Sequence, residues 1–487
     1  MAATDHAMTH PAPTPASDMA TQRSVESRVA DVVAWTSFED LPEDVVEASK
    51  RSILDTLGVT LAATTLAGED VLAVARLAQE WGGTPESTVV GSGDRAPAYL
   101  AAFVFGALGH ALDYDDLAQE AVAHPTLPTI AAAFPLAERL GHVDGKSFVT
   151  ATAIGVDLVI RLGLSLGASP VAHGWLPSTA GVFGATVASA KLLGLSPVGV
   201  GSALGLSLHQ ASGSAQCAFG TGSSFRAIRD GFNAKAGILS ALLSELGAHG
   251  DQEALEGRFG FLNLHFRGDY DRDVILDGLG RRFLGTEIGY KAWPCCGYSQ
   301  FFLTALKRLI DRHDLAPEDV EQIVAVGGDE LLTAQCEPLE ERVSPSSSID
   351  AKFSLPFQLG KLLAGGQVRL DDFTAKGRAD ARAIAIARKV SWRVDPEGAR
   401  GKFGPGIVEV HTGDGQVLVE RADYALGHPC EPLTWEQLED KFRDCIAHAR
   451  VPLQDRTVDE AIRLVRGIEN VADVSSIMRL LSPAPSG

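Results

Sequence analysis

Cysteine is scarce in this sequence: Cys217, Cys295, Cys296, Cys336, Cys430 and Cys445 are six in 487 residues, with no C-x-x-C pair among them. This excludes zinc sites and iron–sulfur sites built on paired cysteines, and it removes the dense disulfide framework of small secreted domains. A reducing, cytoplasmic setting is the expectation. Positive charge is also short, 42 Lys+Arg against 62 Asp+Glu for a net of −20. Binding to nucleic acid needs clustered cations that displace counterions, so nucleic acid is not an expected partner. Between Arg161 and Arg226 charge almost vanishes, with only Lys191 formally charged in 64 residues. That stretch is nevertheless broken by Gly, Ser and three prolines, whereas a membrane span needs about 20 predominantly apolar residues. No membrane association is expected. The start, MAATDHAMTHPAPTPASDMATQ, lacks the basic and apolar runs of a signal peptide, and residues 1–24 read as a disordered leader.

What is present is a globular composition, 45% hydrophobic and 21% charged, with length enough for two or three domains. Leu41-Pro42-Glu43-Asp44 places Pro and two acids where a first helical turn favours them, and Val45, Ser49, Ile53 and Leu57 recur at helical spacing. Helices are predicted from Phe38 to about Gly82 and over 98–112, 129–140, 146–162 and 179–193, with no alternating strand pattern between them. After about Thr286 the texture becomes mixed. Ile323–Val326 and Val390–Val394 read as strands, and 407–411 joins 417–420 through Thr412-Gly413-Asp414-Gly415, a hairpin signal. From Trp435 the pattern is helical again. The prediction is a mostly α protein: a large all-α domain over 25–286 completed by 431–482, and a smaller α+β lid domain over 287–430.

Two signatures are discounted for want of context. Gly163-Leu164-Ser165-Leu166-Gly167 spells the nucleophile elbow but follows a helical pattern rather than a strand. The glycines of Gly199 to Gly205 resemble a dinucleotide fingerprint, yet they too follow a helix, and tight helix packing explains them more simply.

The chemically dense run is His110-Ala111-Leu112-Asp113-Tyr114-Asp115-Asp116, followed by His124-Pro125. Three carboxylates ending an apolar run either face solvent or are held in a site by partners. His124 can exchange a proton near neutral pH if a carboxylate fixes its tautomer. In Tyr290-Lys291-Ala292-Trp293-Pro294-Cys295-Cys296-Gly297-Tyr298, the lysine is either a snorkelling surface residue or the cation for a substrate carboxylate. Arg226, Arg229 and Lys235 form either an exposed face or, for Arg226, a bidentate grip on a carboxylate.

At these residues the sequence resembles the MmgE/PrpD family of 2-methylcitrate dehydratases, cis-aconitate decarboxylases and iminodisuccinate epimerases. The shared segments are Leu54-Asp55-Thr56-Leu57-Gly58-Val59, His110 to Asp116, His124-Pro125, Gly181-Val182-Phe183-Gly184-Ala185, Lys191 to Leu195, Leu255-Glu256-Gly257, Tyr290 to Cys295 and Asp350-Ala351-Lys352-Phe353-Ser354. The resemblance implies an all-α domain and an α+β lid with the site between them, and a homodimer. It makes Asp113, His124 and Lys291 the catalytic positions, with Arg226, His173, Tyr298 and Asp116 on the substrate. Leu117 stands where the decarboxylase and dehydratase have Thr, and Arg226 where the decarboxylase has Lys. The His of the family's G-W-H-P becomes Leu176 or Trp175, with His173 the nearest stand-in.

The expected function is a lyase that needs no metal or other cofactor and acts on a small di- or tricarboxylate by proton transfer beside a carboxylate. The first expectation is 2-methylcitrate dehydratase-type hydration chemistry. Cis-aconitate decarboxylation and iminodisuccinate-like epimerisation are the alternatives in chemistry. A non-catalytic carboxylate-binding paralogue is the alternative of another class.

Overall fold

The computed structural model describes residues 23–167, 173–219, 223–395 and 404–482. Apart from Arg23 and Ser24, the predicted leader lies outside them. Ser24 accepts a hydrogen bond from the backbone N–H of Ser27 and so caps the first helix.

The principal helices are α1 (Val25–Trp35), α2 (Glu43–Leu66), α3 (Glu69–Trp81), α4 (Ala98–His110), α5 (Thr126–Leu140), α6 (Gly145–Ser165), α7 (Gly181–Leu192), α8 (Pro197–Leu208), α9 (Phe225–Glu245), α10 (Ser299–His313), α11 (Leu355–Gly365), α12 (Trp435–Ala447), α13 (Asp455–Arg466) and α14 (Ser475–Leu481). The helical region predicted from Phe38 to about Gly82 consists mainly of two helices, bent by 98° at Ala67-Gly68, because the α2 register ends there and Gly68 starts a new turn. A two-residue antiparallel ribbon, Ser87–Thr88 against Arg95–Ala96, interrupts the region predicted to lack strands. It is too short to leave a periodic pattern.

Helix α6 is long and apolar enough to cross a bilayer by composition, and here it is buried inside the protein. It contains Gly163 and Ser165, whose hydroxyl donates to the Leu162 carbonyl, so the elbow-like serine ends a helix rather than following a strand. All the Gly199–Gly205 glycines lie in α8, where a Cβ on Gly205 would sit 2.3 Å from the Asp251 backbone nitrogen. Close approach of the Gly250-Asp251 backbone explains Gly205, whereas a Cβ on Gly201 would meet nothing within 4 Å, so tight helix packing does not account for all of these glycines.

One hydrophobic cluster gathers α1 to α9 with α12, α13 and α14; Phe442 and Cys445 of α12 pack over Gly58 of α2. A second cluster lies around a four-stranded sheet of β1 (Val320–Gly327), β2 (Val390–Val394), β3 (Gly406–Thr412) and β4 (Val417–Ala422), ordered β2-β1-β3-β4. β1 pairs parallel with β2 and antiparallel with β3, and β3–β4 is the hairpin, its turn using Gly415 at φ +85°. Helices α10 and α11 contribute Phe302, Leu306, Leu359 and Leu362 to this cluster.

Candidate functional site

Two crossings bring the chemistry together. In the first, α4 and α9 touch backbone to backbone: a Cβ on Gly106 would lie 2.6 Å from the Asp230 carbonyl, and one on Gly231 would lie 2.3 Å from the Phe103 oxygen. Only glycine permits that approach, and it sets the end of α4 beside the start of α9. In the second, Leu117 and Gly289 exchange two backbone hydrogen bonds of 2.9 Å, which pins the acidic loop to the segment carrying Lys291.

Helix α4 ends where Asp113 takes the left-handed conformation, φ +53°, its N–H bonded to the His110 carbonyl at 3.0 Å. Asp tolerates that region better than most side chains. The three carboxylates of the loop do not face solvent: Asp113 is 5% exposed, and Asp115 and Asp116 are 0% exposed. Asp113 meets Lys291 at 2.5 Å, and the same ammonium donates to the Asp113 carbonyl at 2.9 Å. Arg226 approaches the other carboxylate oxygen at 3.9 Å while its guanidinium lies 4.0 Å above the Phe353 ring. Burial would raise the Asp113 pKa, but Lys291 and then Arg226 outweigh it and hold the carboxyl well below its ordinary range. The solvated-turn reading of this loop is thereby removed.

Asp115 organises two histidines. Its carboxylate lies 3.0 Å from the Nδ1 of His110 and 3.0 Å from the Nδ1 of His124, whose rings meet edge to face at 4.6 Å. The His124 Nδ1 also lies 2.6 Å from the Asp116 carbonyl. Both neighbours of that nitrogen are acceptors, so it carries the proton, and Nε2 is left as the basic atom. Burial, then Arg229, push the His110 pKa down to about 4, so this ring is neutral at pH 7. His124 reaches the cluster through a tight turn in which Ala118 and Ala123 bond to each other and Val122 sits at φ +50°. A β-branched residue there is strained, and the neighbouring pairing holds it. The donor atoms of His110, Asp115 and His124 lie within 4.8 Å of one another, the one group among the described residues that could hold a metal ion.

Asp116 enters differently from the expectation that its carboxylate contacts substrate. Its carbonyl serves His124, while its carboxyl is turned inward, raised well above the usual range by burial and by Asp115 and Asp55, with Thr126 opposing. No oxygen of that carboxyl is exposed to make the contact. Tyr298 is 1% exposed within the second cluster, its ring against Phe302 and its hydroxyl toward Gly327. His173 lies 3.5 Å from Asp269 and meets Phe266 edge to face at 6.4 Å, both partners lying apart from the Asp113 and Asp115 contacts.

Sequence reasoning passed over Asp115, hidden among three similar acids, and Lys441. The Lys441 ammonium, from α12, lies 2.7 Å from Asp55 of α2 and donates to the carbonyls of Tyr114 at 2.8 Å and Lys291 at 3.0 Å. It also sits 3.8 Å over the Tyr114 ring. It thus ties three distant segments behind the Asp113–Lys291 pair. A helical period shows that Lys441 falls on the inner face, but no local signal names its partners.

A cavity of about 270 Å³ between Thr64, Glu69, Arg76, Gln79, Ser92 and Arg450 contains no histidine, and its Arg76 is answered by Glu69 at 2.7 Å. A smaller one, bordered by Leu117, Gln119, Lys291, Gln300 and His428, shares Lys291 with the charged cluster and so adjoins the candidate site.

Residues 27–273 match the MmgE/PrpD N-terminal domain and residues 293–466 the MmgE/PrpD C-terminal domain. The chain is 27% identical over 484 residues to a cis-aconitate decarboxylase of Aspergillus terreus, covering 93% of this chain and 95% of that one. It is 27% identical over 481 residues to the Homo sapiens cis-aconitate decarboxylase, covering 95% and 96%. It is also 25% identical over 492 residues to a cis-aconitate decarboxylase-like protein of Aspergillus oryzae, covering 96% and 98%. With both family domains matched in order across most of its length, this chain belongs to the MmgE/PrpD family.

Proposed function

We propose that this protein is a lyase acting on a small tricarboxylate, with His124 moving a proton at a carbon next to a carboxylate. The observation that carries the reading is the arrangement of His124, its Nδ1 held by Asp115 and the Asp116 carbonyl, in the same loop as Asp113, which meets Lys291 and Arg226. An imidazole with one nitrogen fixed presents the other to substrate as acid or base. Nearby cations stabilise the charge that grows on carboxylate oxygens as the carbon loses or gains its proton.

The names of the relatives favour decarboxylation of a cis-aconitate-like acid over the dehydration expected first. In that reaction the bond to the departing carboxylate breaks, its electron pair moves into the carbon skeleton, and the proton delivered by His124 lands on carbon. Dehydration of a 2-methylcitrate-like acid remains the second reading, supported by Arg226 standing where the decarboxylase has Lys; Leu117 replaces a Thr of both enzymes and does not choose between them. The proposal includes the second hydrophobic cluster acting as a cover, since from residues 291–353 Lys291 and Lys352 reach the acidic loop and Phe353 lies against Arg226 of α9. It also includes a cytoplasmic homodimer, a point for light scattering and fractionation. NMR of the protein with cis-aconitate, 2-methylcitrate and related acids in deuterated water tests the chemistry. Product with deuterium at carbon supports it, and binding without turnover or exchange would mark a non-catalytic paralogue.

A further inference from the structure

Four lysines are buried in the described residues, and three of them have an acid. Lys291 meets Asp113 at 2.5 Å, Lys441 meets Asp55 at 2.7 Å, and Lys361 lies 3.0 Å from Asp372 and 2.9 Å from Asp380. Lys352 is the exception. It is 3% exposed, its ammonium makes one long hydrogen bond of 3.3 Å to the Ala111 carbonyl, and among the described residues no carboxylate lies within ion-pair distance. An unpaired buried ammonium is costly, and a fold that keeps one without an internal partner leaves its charge available to a ligand.

Its surroundings say which ligand. Lys352 ends the short helix Ser348–Lys352, and its carbonyl accepts from the Cys296 N–H at 3.0 Å, which fixes it to the segment carrying Lys291. The next residue, Phe353, lies under the Arg226 guanidinium. Lys352, Lys291 and Arg226 therefore converge from three elements, and among the described residues Asp113 is the one carboxylate that pairs with any of them. We propose that Lys352 is a substrate-binding residue that receives a second carboxylate of the tricarboxylate, so that the site selects acids carrying more than one anionic arm. This rests on the lyase reading above and extends it to specificity.

The charged and titratable groups facing the ammonium are Asp113 from the acidic loop and Lys291 and Cys295 from the junction segment, and Arg226 lies over the ring of the adjacent Phe353. Burial first, then Lys291, lower the Lys352 pKa to about 8 against the pull of Asp113. Lys291 and Cys295 are shifted upward, Cys295 well above 9, so Lys352 is the group among them that titrates between pH 7 and 9.

The test is calorimetric titration of the whole protein with propane-1,2,3-tricarboxylate, a saturated acid with no double bond to rearrange, and with a monocarboxylate control. In the wild type, affinity for the tricarboxylate should fall about tenfold from pH 7 to pH 9 as the ammonium discharges. Lys352→Met should bind it at least tenfold more weakly at pH 7, lose that pH dependence and melt no lower than wild type, because no buried acid is orphaned. Lys352→Arg should keep most of the affinity. A wild-type affinity flat between pH 7 and 9, or a folded Lys352→Met that binds as tightly as wild type, overturns the assignment while leaving the lyase reading standing. A wild type that neither binds nor turns over any tricarboxylate overturns both.

Discussion

The role proposed for His124 depends on which of its nitrogens is spent. Nδ1 faces two acceptors, so chemistry falls to Nε2, and His124→Ala should lower kcat by about 10²-fold or more in steady-state assays of a correctly folded variant. Near-normal turnover would take it out of the mechanism. His110, on the same carboxylate, has a different consequence. Above pH 6.5 neither folded nor unfolded chain holds its proton. As pH falls from 6.5 towards about 4 the unfolded chain takes one up and the folded chain does not, so stability declines across that window by on the order of 3 kcal/mol. The Asp115 contribution, from a carboxyl that His110 and His124 hold well down against its burial, is lost only at lower pH. Urea denaturation between pH 4 and 7 should show the slope in wild type and a flatter one in His110→Gln.

Among elements, α12 is the one whose placement sequence position hides. It arrives more than 300 residues after the acidic loop, yet Lys441 donates to the carbonyls on both sides of the Asp113–Lys291 contact. Removing one member of a buried ion pair leaves the other uncompensated, so Lys441→Met should cost about 3–5 kcal/mol in thermal or chemical denaturation. Adding Asp55→Asn to it should recover part of that loss, because the orphaned charge disappears. Additive losses would mean that the 2.7 Å contact couples nothing.

For the whole molecule the electrostatic arrangement is local rather than global. A chain of net charge −20 repels a polyanion at a distance, so the proposed tricarboxylate would have to be attracted through a confined positive region, for which Lys291, Arg226 and Lys352 are the proposed groups. Because the proposed proton transfer uses protein groups alone, turnover should survive exhaustive EDTA treatment and dialysis. Loss of activity restored by one particular metal would instead reassign His110, Asp115 and His124 as its ligands.

Apolar periodicity and turn chemistry were enough to read the helices from α2 to α7, the β1 and β2 runs and the β3–β4 hairpin, because those signals are local. The dense acid and histidine run, its Lys291 counterpart and the family itself were legible for the same reason: each is a short string of unusual residues. The sequence could not say which of three adjacent aspartates meets a histidine, because that depends on the left-handed turn at Asp113 and the strained one at Val122. Nor could it distinguish Lys352 from Lys361, two buried lysines nine positions apart, one without an acid and the other with two. Pairing across hundreds of residues is decided by how the helices pack, and burial is what turns a charged side chain's partner, or its lack of one, into free energy.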